Sequence, residues 1–162
     1  MGSGGGIPGL FLAVSLDYSR LVLLDASVKR CEFLNKALLS LDLDRRVDVV
    51  CERAEVAARV PSLRNSFSVV VSRSFSQPPI TAECAAPFLQ KDGILVVSEP
   101  PGGNTELRWP KEGCQKVALL PEASIKNQYS FVKLRMTGTC PDEYPRRVGI
   151  PAKRPIFQLK TD

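Results

Sequence analysis

The chain contains no histidine. Histidine is the side chain whose ordinary pKa lies nearest neutrality, so its absence removes His-based triads, most catalytic zinc sites and the commonest general base in one step. Long apolar runs are missing as well. No stretch approaches the roughly 20 residues of a membrane span, and no charged segment leads into an apolar one as in a secretory leader. Cysteine is present without pattern. Cys31, Cys51, Cys84, Cys114 and Cys140 are odd in number, scattered and free of any C-x-x-C spacing. They read as free thiols in a reducing cytoplasm, and no metal site is expected.

What is present fits one globular domain. A chain of 162 residues that is 44% hydrophobic can bury a real core. Its net charge of +5 hints at a polyanionic partner, although ordinary soluble proteins also carry such a charge. The feature around which the rest is arranged comes first: glycines at positions 2, 4 and 6 run into Ile7, Pro8 and an apolar stretch. Glycine adopts positive φ freely and lets backbone N–H groups approach a ligand. Such a loop entering a helix N-terminus suits a phosphate, carboxylate or nucleotide-like ligand. Its position is odd, because these loops normally follow a buried strand and none precedes this one.

Taken in order, residues 7–16 predict a short helix, apolar nearly all round and hence buried. Residues 20–25 (RLVLLD) look like a parallel strand buried on both faces. Ser27 can cap a helix to about Leu41 with a stripe of Val28, Cys31, Leu34, Leu38 and Leu41. Strands are expected at 46–51, 67–72 and 94–98, with a helical turn at 54–59, a helix from Pro78 to Phe88 and a turn at Lys91–Gly93. This alternation argues for βαβ units and a mostly parallel sheet. Beyond a loop at 100–103, weaker strands near 116–120 and 129–136 fit a closing hairpin. Residues 1–139 therefore form the domain, and the Pro-, Arg- and Lys-rich residues 140–162 read as an extended arm.

Chemistry-bearing residues fall at strand C-termini, where open α/β sheets bind ligands. Asp25 could hold a ribose diol, Glu55 could sit beside an adenine, and Ser72, Arg73, Ser74 and Phe75 end the third visible strand. Each has a plain alternative: a simple turn, a helix cap, surface charge, a core phenylalanine. Their joint order is harder to obtain by accident.

These runs resemble the bacterial RsmG (GidB) family of S-adenosylmethionine-dependent rRNA guanine-N7 methyltransferases. The matching segments are GSGGGIPG (2–9), LLDASVKRCEFL (23–34), RAE (53–55), VVSRSF (70–75) and YPRRVGIPAKRP (144–155). The resemblance implies the Rossmann-like class I methyltransferase fold, an α/β, mostly parallel sheet with an antiparallel last hairpin. It implies a cofactor pocket from Gly2, Ser3, Gly4, Gly6, Asp25, Ala54 and Glu55, and a catalytic Arg73 near the methyl donor. It also implies RNA contacts by Lys29, Arg30, Phe75, Arg146, Arg147, Lys153 and Arg154. The expected cofactor is S-adenosyl-L-methionine. The expected partner is ribosomal RNA in the small subunit or its precursor, met by a cytoplasmic monomer.

The chemistry agrees. Guanine N7 already offers a lone pair, so methyl transfer needs orientation and electrostatics but no general base. An arginine on N7 itself would block the reaction, so Arg73 suits O6, a phosphate or the cofactor carboxylate. Phe75 could stack on the base. Between Tyr144 and Lys160 there are five basic residues and no acids, which would contact phosphate in a salt-dependent way. Two departures from the family stand out. The first, central strand is missing, so Met1 is expected to be a misassigned or truncated start. Glu99 stands where many relatives have a lysine-containing run. Two other readings are a non-catalytic RNA-binding remnant and a methyltransferase for another RNA or a small molecule.

Overall fold

The structure, a computed structural model, describes residues 1–16, 20–101, 104–126 and 130–159. After the glycine loop, helix α1 covers Gly9–Ser15 and strand β1 Leu21–Asp25. Helix α2 (Val28–Ser40) then crosses to strand β2 (Val47–Cys51), and the short helix α3 follows at Ala54–Ala57. Strand β3 is Phe67–Ser72, helix α4 Pro78–Ala85 and strand β4 Leu89–Glu99. Two short helices, α5 (Thr105–Arg108) and α6 (Lys111–Gln115), lead to strands β5 (Leu119–Lys126) and β6 (Ser130–Met136), and α7 is Ile150–Lys153.

β1 and β2 pair in parallel, Leu21 against Val47 through Asp25 against Cys51. β3 and β4 are also parallel, and the β5–β6 hairpin closes a second sheet in the order β3-β4-β6-β5 with β6 antiparallel to both neighbours. The expected parallel sheet with an antiparallel end is therefore present. A slot separates β1 of the first sheet from β3 of the second. The first residues bridge it, the Met1 nitrogen donating to the Val71 carbonyl and the Ser3 N–H to the Leu24 carbonyl, each at 2.9 Å, and the Arg20 guanidinium lies over the Phe67 ring, 5.4 Å from its centre. The remainder is a cavity of about 120 Å³ lined by Leu21, Leu23, Leu63, Val69, Val70 and Phe88. The cavity lies between β1 and β3, where the expected central strand would run.

Several expectations need correction. Helix α1 is not buried: Ala13 is, but Phe11 and Val14 are 69% and 62% exposed. It packs only through the face toward β1, where Gly9 leaves room for Leu23; a Cβ there would lie 2.4 Å from that side chain. In α2 the stripe holds at Cys31, Leu34 and Leu38, while Val28 is exposed. Ser27 occupies the N-cap without a side-chain cap bond, because its N–H is engaged by Asp25. The turn at Lys91–Gly93 is absorbed into β4 as an irregularity opposite Phe67–Val69, with Asp92 at φ 64°. Neither α5 nor α6 was expected, since both are shorter than a hydrophobic period can reveal. Gly102, Gly103, Tyr129 and Lys160, which the expected loop, strand and arm include, lie outside the described residues.

The largest correction concerns the tail. Residues from 140 onward form no extended arm: Cys140, Ile156 and Phe157 are buried in the main core, and Tyr144 and Leu159 pack against it. The composition misleads because backbone carbonyls supply the attachment. Arg59 donates to the carbonyls of Asp142, Glu143 and Pro145, and Arg64 to those of Cys140, Pro141 and Tyr144. Gly113 in α6 makes room for the Phe157 ring, 2.5 Å from where a Cβ would stand.

Candidate active site

The glycine loop closes onto the end of β1. Gly2, Gly4 and Gly6 have φ of +65°, +53° and +91°, the left-handed region in which a side chain is strained. That path aims the Gly4 N–H at Asp25 Oδ2, 2.7 Å away, while Asp25 Oδ1 accepts from the Ser27 N–H at 3.0 Å. The carboxylate is 6% exposed, and Arg30 Nη1 approaches Oδ2 at 3.7 Å. Asp25 thus locks the loop and the start of α2 to one strand end. At the next strand end, the Glu52 N–H donates to the Asp25 carbonyl, which places Ala54 and Glu55 beside it. Ala54 is buried; Glu55 Oε1 accepts from the Gly149 N–H of the tail at 3.2 Å.

β3 ends on Ser72, whose buried hydroxyl has no hydrogen-bond partner among the described residues. Ser74 follows at φ 51° and turns the chain so that Phe75 returns over the glycine loop: a Cβ on Gly2 would lie 2.7 Å from its ring. Arg73 is exposed at this turn and forms no ion pair with another described residue. Lys29 is exposed on the first turn of α2. The site residues expected at the loop, Asp25 and Phe75 are therefore brought together. Those of the tail are not one group. Arg146 is tied down: its backbone N–H, Nε and Nη2 all bind the Glu83 carboxylate, at 2.9, 2.9 and 2.7 Å, and Glu83 is fully buried. Arg147, Lys153 and Arg154 remain exposed.

Sequence reasoning missed Glu83, Arg108 and Trp109. Glu83 had a signal: one acid inside the apolar run from Pro78 to Phe88 demands a buried cation. A second cavity, of about 280 Å³, opens beside Phe75, with Glu99 at the end of β4 and Arg108 and Trp109 along its wall. Arg108 Nε donates to Glu99 Oε2 at 2.5 Å.

The loop opens on free space at Gly4 and Gly5. A Cβ on Gly5 would meet nothing within 4 Å, and one on Gly4 only the Gly2 carbonyl at 4.0 Å. The glycine loop and Asp25 stand at the end of β1, and Ser72 stands at the end of β3. A glycine loop, a strand-end acid and an antiparallel last hairpin on a parallel sheet define the class I methyltransferase fold. An O-methyltransferase from Bacillus cereus solved in complex with SAH superposes with a TM-score of 0.63 at 16% identity, covering 84% of this chain and 71% of that one. The [4+2]-cyclase SpnF superposes with a TM-score of 0.63 at 14% identity, over 85% of this chain and 74% of that one, so the fold alone does not fix the chemistry.

Sequence comparison is more specific. The profile of the family described as GidB, rRNA small subunit methyltransferase G, matches residues 1–125, and the chain belongs to that family. "Ribosomal RNA small subunit methyltransferase G" of Prochlorococcus marinus (strain NATL2A) is 31% identical over 96% of this chain, and the same-named protein of Fervidobacterium nodosum 35% identical over 96%. The chain spans 66% of the first relative's length and 75% of the second's.

Proposed function

We propose that the chain carries out S-adenosylmethionine-dependent methyl transfer to N7 of a guanosine in small-subunit ribosomal RNA. It would act as a cytoplasmic monomer on RNA presented by the subunit or its precursor. The observation that carries this reading is the closure of the glycine loop onto buried Asp25, in a chain of the rRNA small subunit methyltransferase G family. Gly2, Ser3, Gly4 and Gly6 would hold the methionine side of the cofactor, Asp25 its ribose, and Ala54 with Glu55 its adenine. When bound, the cofactor would supply a sulfonium methyl group as the electrophile for the N7 lone pair.

The chain's own residues then have little proton chemistry to do, which suits a protein without histidine. Asp25 fixes the path of the loop by accepting the Gly4 N–H, so the loop is set before a ligand arrives. Phe75 offers a face on which the base can stack. Arg73, exposed at the strand end, is placed to hold a phosphate or a carboxylate. Lys29, Arg147, Lys153 and Arg154 offer exposed charge to the RNA backbone.

Calorimetry with S-adenosylmethionine, followed by assay of N7-methylguanosine in small-subunit RNA, tests the reading. Binding and transfer support it; absence of both overturns it. A second reading, RNA binding without transfer, is favoured by the slot under the loop, which leaves the loop anchored by few main-chain bonds. RNA binding without cofactor binding would select it.

A further inference from the structure

The cavity beside Phe75 carries a side-chain pair that the proposed transfer does not yet use. Glu99 is the last residue of β4, and its side chain is 6% exposed. Arg108 reaches it from helix α5, whose N-terminus is fixed by the Asn104 side chain accepting from the Glu106 and Leu107 N–H groups. That cap holds the short helix so that Arg108 Nε meets Glu99 Oε2 at 2.5 Å. Among the described residues nothing else donates to Glu99. Next in sequence, Trp109 is 2% exposed and its buried indole N–H has no partner among the described residues. Phe75 forms one wall of the cavity and also lies on Gly2, so the cavity adjoins the glycine loop.

A base that is to be methylated at N7 must keep that lone pair free. The side from which proteins usually read guanine, a cation bidentate on O6 and N7, is thereby closed. The Watson–Crick edge remains, with O6 as acceptor and N1–H and N2–H as donors. Its complement is a carboxylate next to a cation. We propose, resting on the methyl-transfer reading, that the Glu99–Arg108 pair reads this edge of guanine. Glu99 accepts from N1–H and N2–H, Arg108 uses a guanidinium N–H left free by Glu99 to meet O6, and Phe75 covers the ring. Adenine presents an acceptor at N1 and would face the carboxylate lone pairs. Methylation leaves the purine positively charged, because N7 spends its lone pair and no proton departs. Glu99 therefore also lies where that charge develops.

Trp109, the only tryptophan, reports on the site by its emission. Guanosine, inosine and adenosine 5′-monophosphates are titrated into the full chain and into Glu99→Gln. The guanine nucleotide is expected to bind at least tenfold tighter than inosine monophosphate, which lacks the 2-amino group, and tighter still than the adenine nucleotide. In Glu99→Gln the guanine-to-inosine ratio falls toward one. Equal affinities in the wild type, or an unchanged ratio in the variant, overturn the proposal. Should Glu99→Gln fail to fold by circular dichroism, the wild-type series with 1-methylguanosine monophosphate, which lacks N1–H, decides the matter. N7 transfer with no preference for guanine overturns this proposal and spares the methyl-transfer reading. A guanine preference without S-adenosylmethionine binding does the reverse.

Discussion

Helices α1 and α2 and strands β1 and β2 gather on a small core of Ala13, Leu23, Leu34, Leu38, Leu43 and Val47, while the β3–β6 sheet and its helices bury a far larger cluster that includes Phe88, Leu95, Trp109, Leu119, Leu134, Met136 and Phe157. Among the described residues, Leu24, α3 and the half-buried Val50 and Met1 reach from the first region into the second core, and two backbone bonds from residues 1–3 span the slot. The glycine loop and Asp25 belong to the lightly held region; Glu99, Arg108 and Trp109 belong to the heavily packed one. Phe75 bridges them. A ligand-closing loop is drawn from the less stable part of a fold, and base-reading groups from the rigid part, because recognition depends on fixed geometry. Cofactor binding and base reading are therefore expected to respond differently to the same perturbation.

The heaviest blow to that arrangement falls on the packed region. Glu83 is fully buried and the Arg146 side chain holds both its oxygens, so Arg146→Ala leaves a charge in the core without its cation and with a single backbone N–H. Such a loss costs about 3–5 kcal/mol, a large share of a domain's stability. Urea denaturation should show a markedly lower midpoint with the tail released. A shift under about 1 kcal/mol would mean that the tail does not hold the large core, and the contrast between the regions would weaken.

The matching test in the other region is Gly6→Val. A side chain there is strained at φ +91°, and its Cβ would stand 2.4 Å from Leu10. The local cost is about 1–3 kcal/mol. Cofactor affinity should fall tenfold or more while the guanine preference of the Phe75 cavity survives. Equal losses in both measurements would show the two regions to be one cooperative unit.

Thiols sharpen the comparison further. Cys51 is exposed and should react at once with a disulfide reagent at pH 8. Burial pushes Cys31, Cys114 and Cys140 up to about 12, so at pH 8 each stays protonated and reacts only when its surroundings open. Cys31 lies in α2, whose Leu34 and Leu38 belong to the smaller core, and Cys114 and Cys140 belong to the larger. Labelling of Cys31 should run at least tenfold faster, an opening free energy lower by about 1.4 kcal/mol. Mass spectrometry of the labelled chain gives the order.

How much of this was legible follows from which forces leave a local trace. β1, β2 and β3 were read nearly to the residue, because apolar runs bounded by turn residues are local signals. Asp25 and the glycine loop were found for the same reason. The tail was misread since Cys140, Ile156 and Phe157 are too sparse to form a period; arginines eighty or so positions away hold its carbonyls. The pairing of Glu99 with Arg108 needed the Asn104 cap and the path of α5, neither of which a hydrophobic pattern encodes. The same distance effect split the tail's basic residues, which sequence composition treats as equivalent.

That split gives the smallest effect and the finest test. Arg146 and Arg147 are neighbours, yet the first grips Glu83 and the second is exposed. Arg147→Ala should change stability by less than about 0.5 kcal/mol, as surface substitutions do. If Arg147 meets a phosphate, the same variant lowers the slope of log affinity for RNA against log salt by about 1, uniformly across sequences. Filter binding at several salt concentrations reads the slope directly. A slope unchanged by Arg147→Ala, and likewise by Lys153→Ala, would take the exposed tail charges out of RNA contact. The tail would then serve only to close the larger core, and recognition would rest on the cavity at the junction alone.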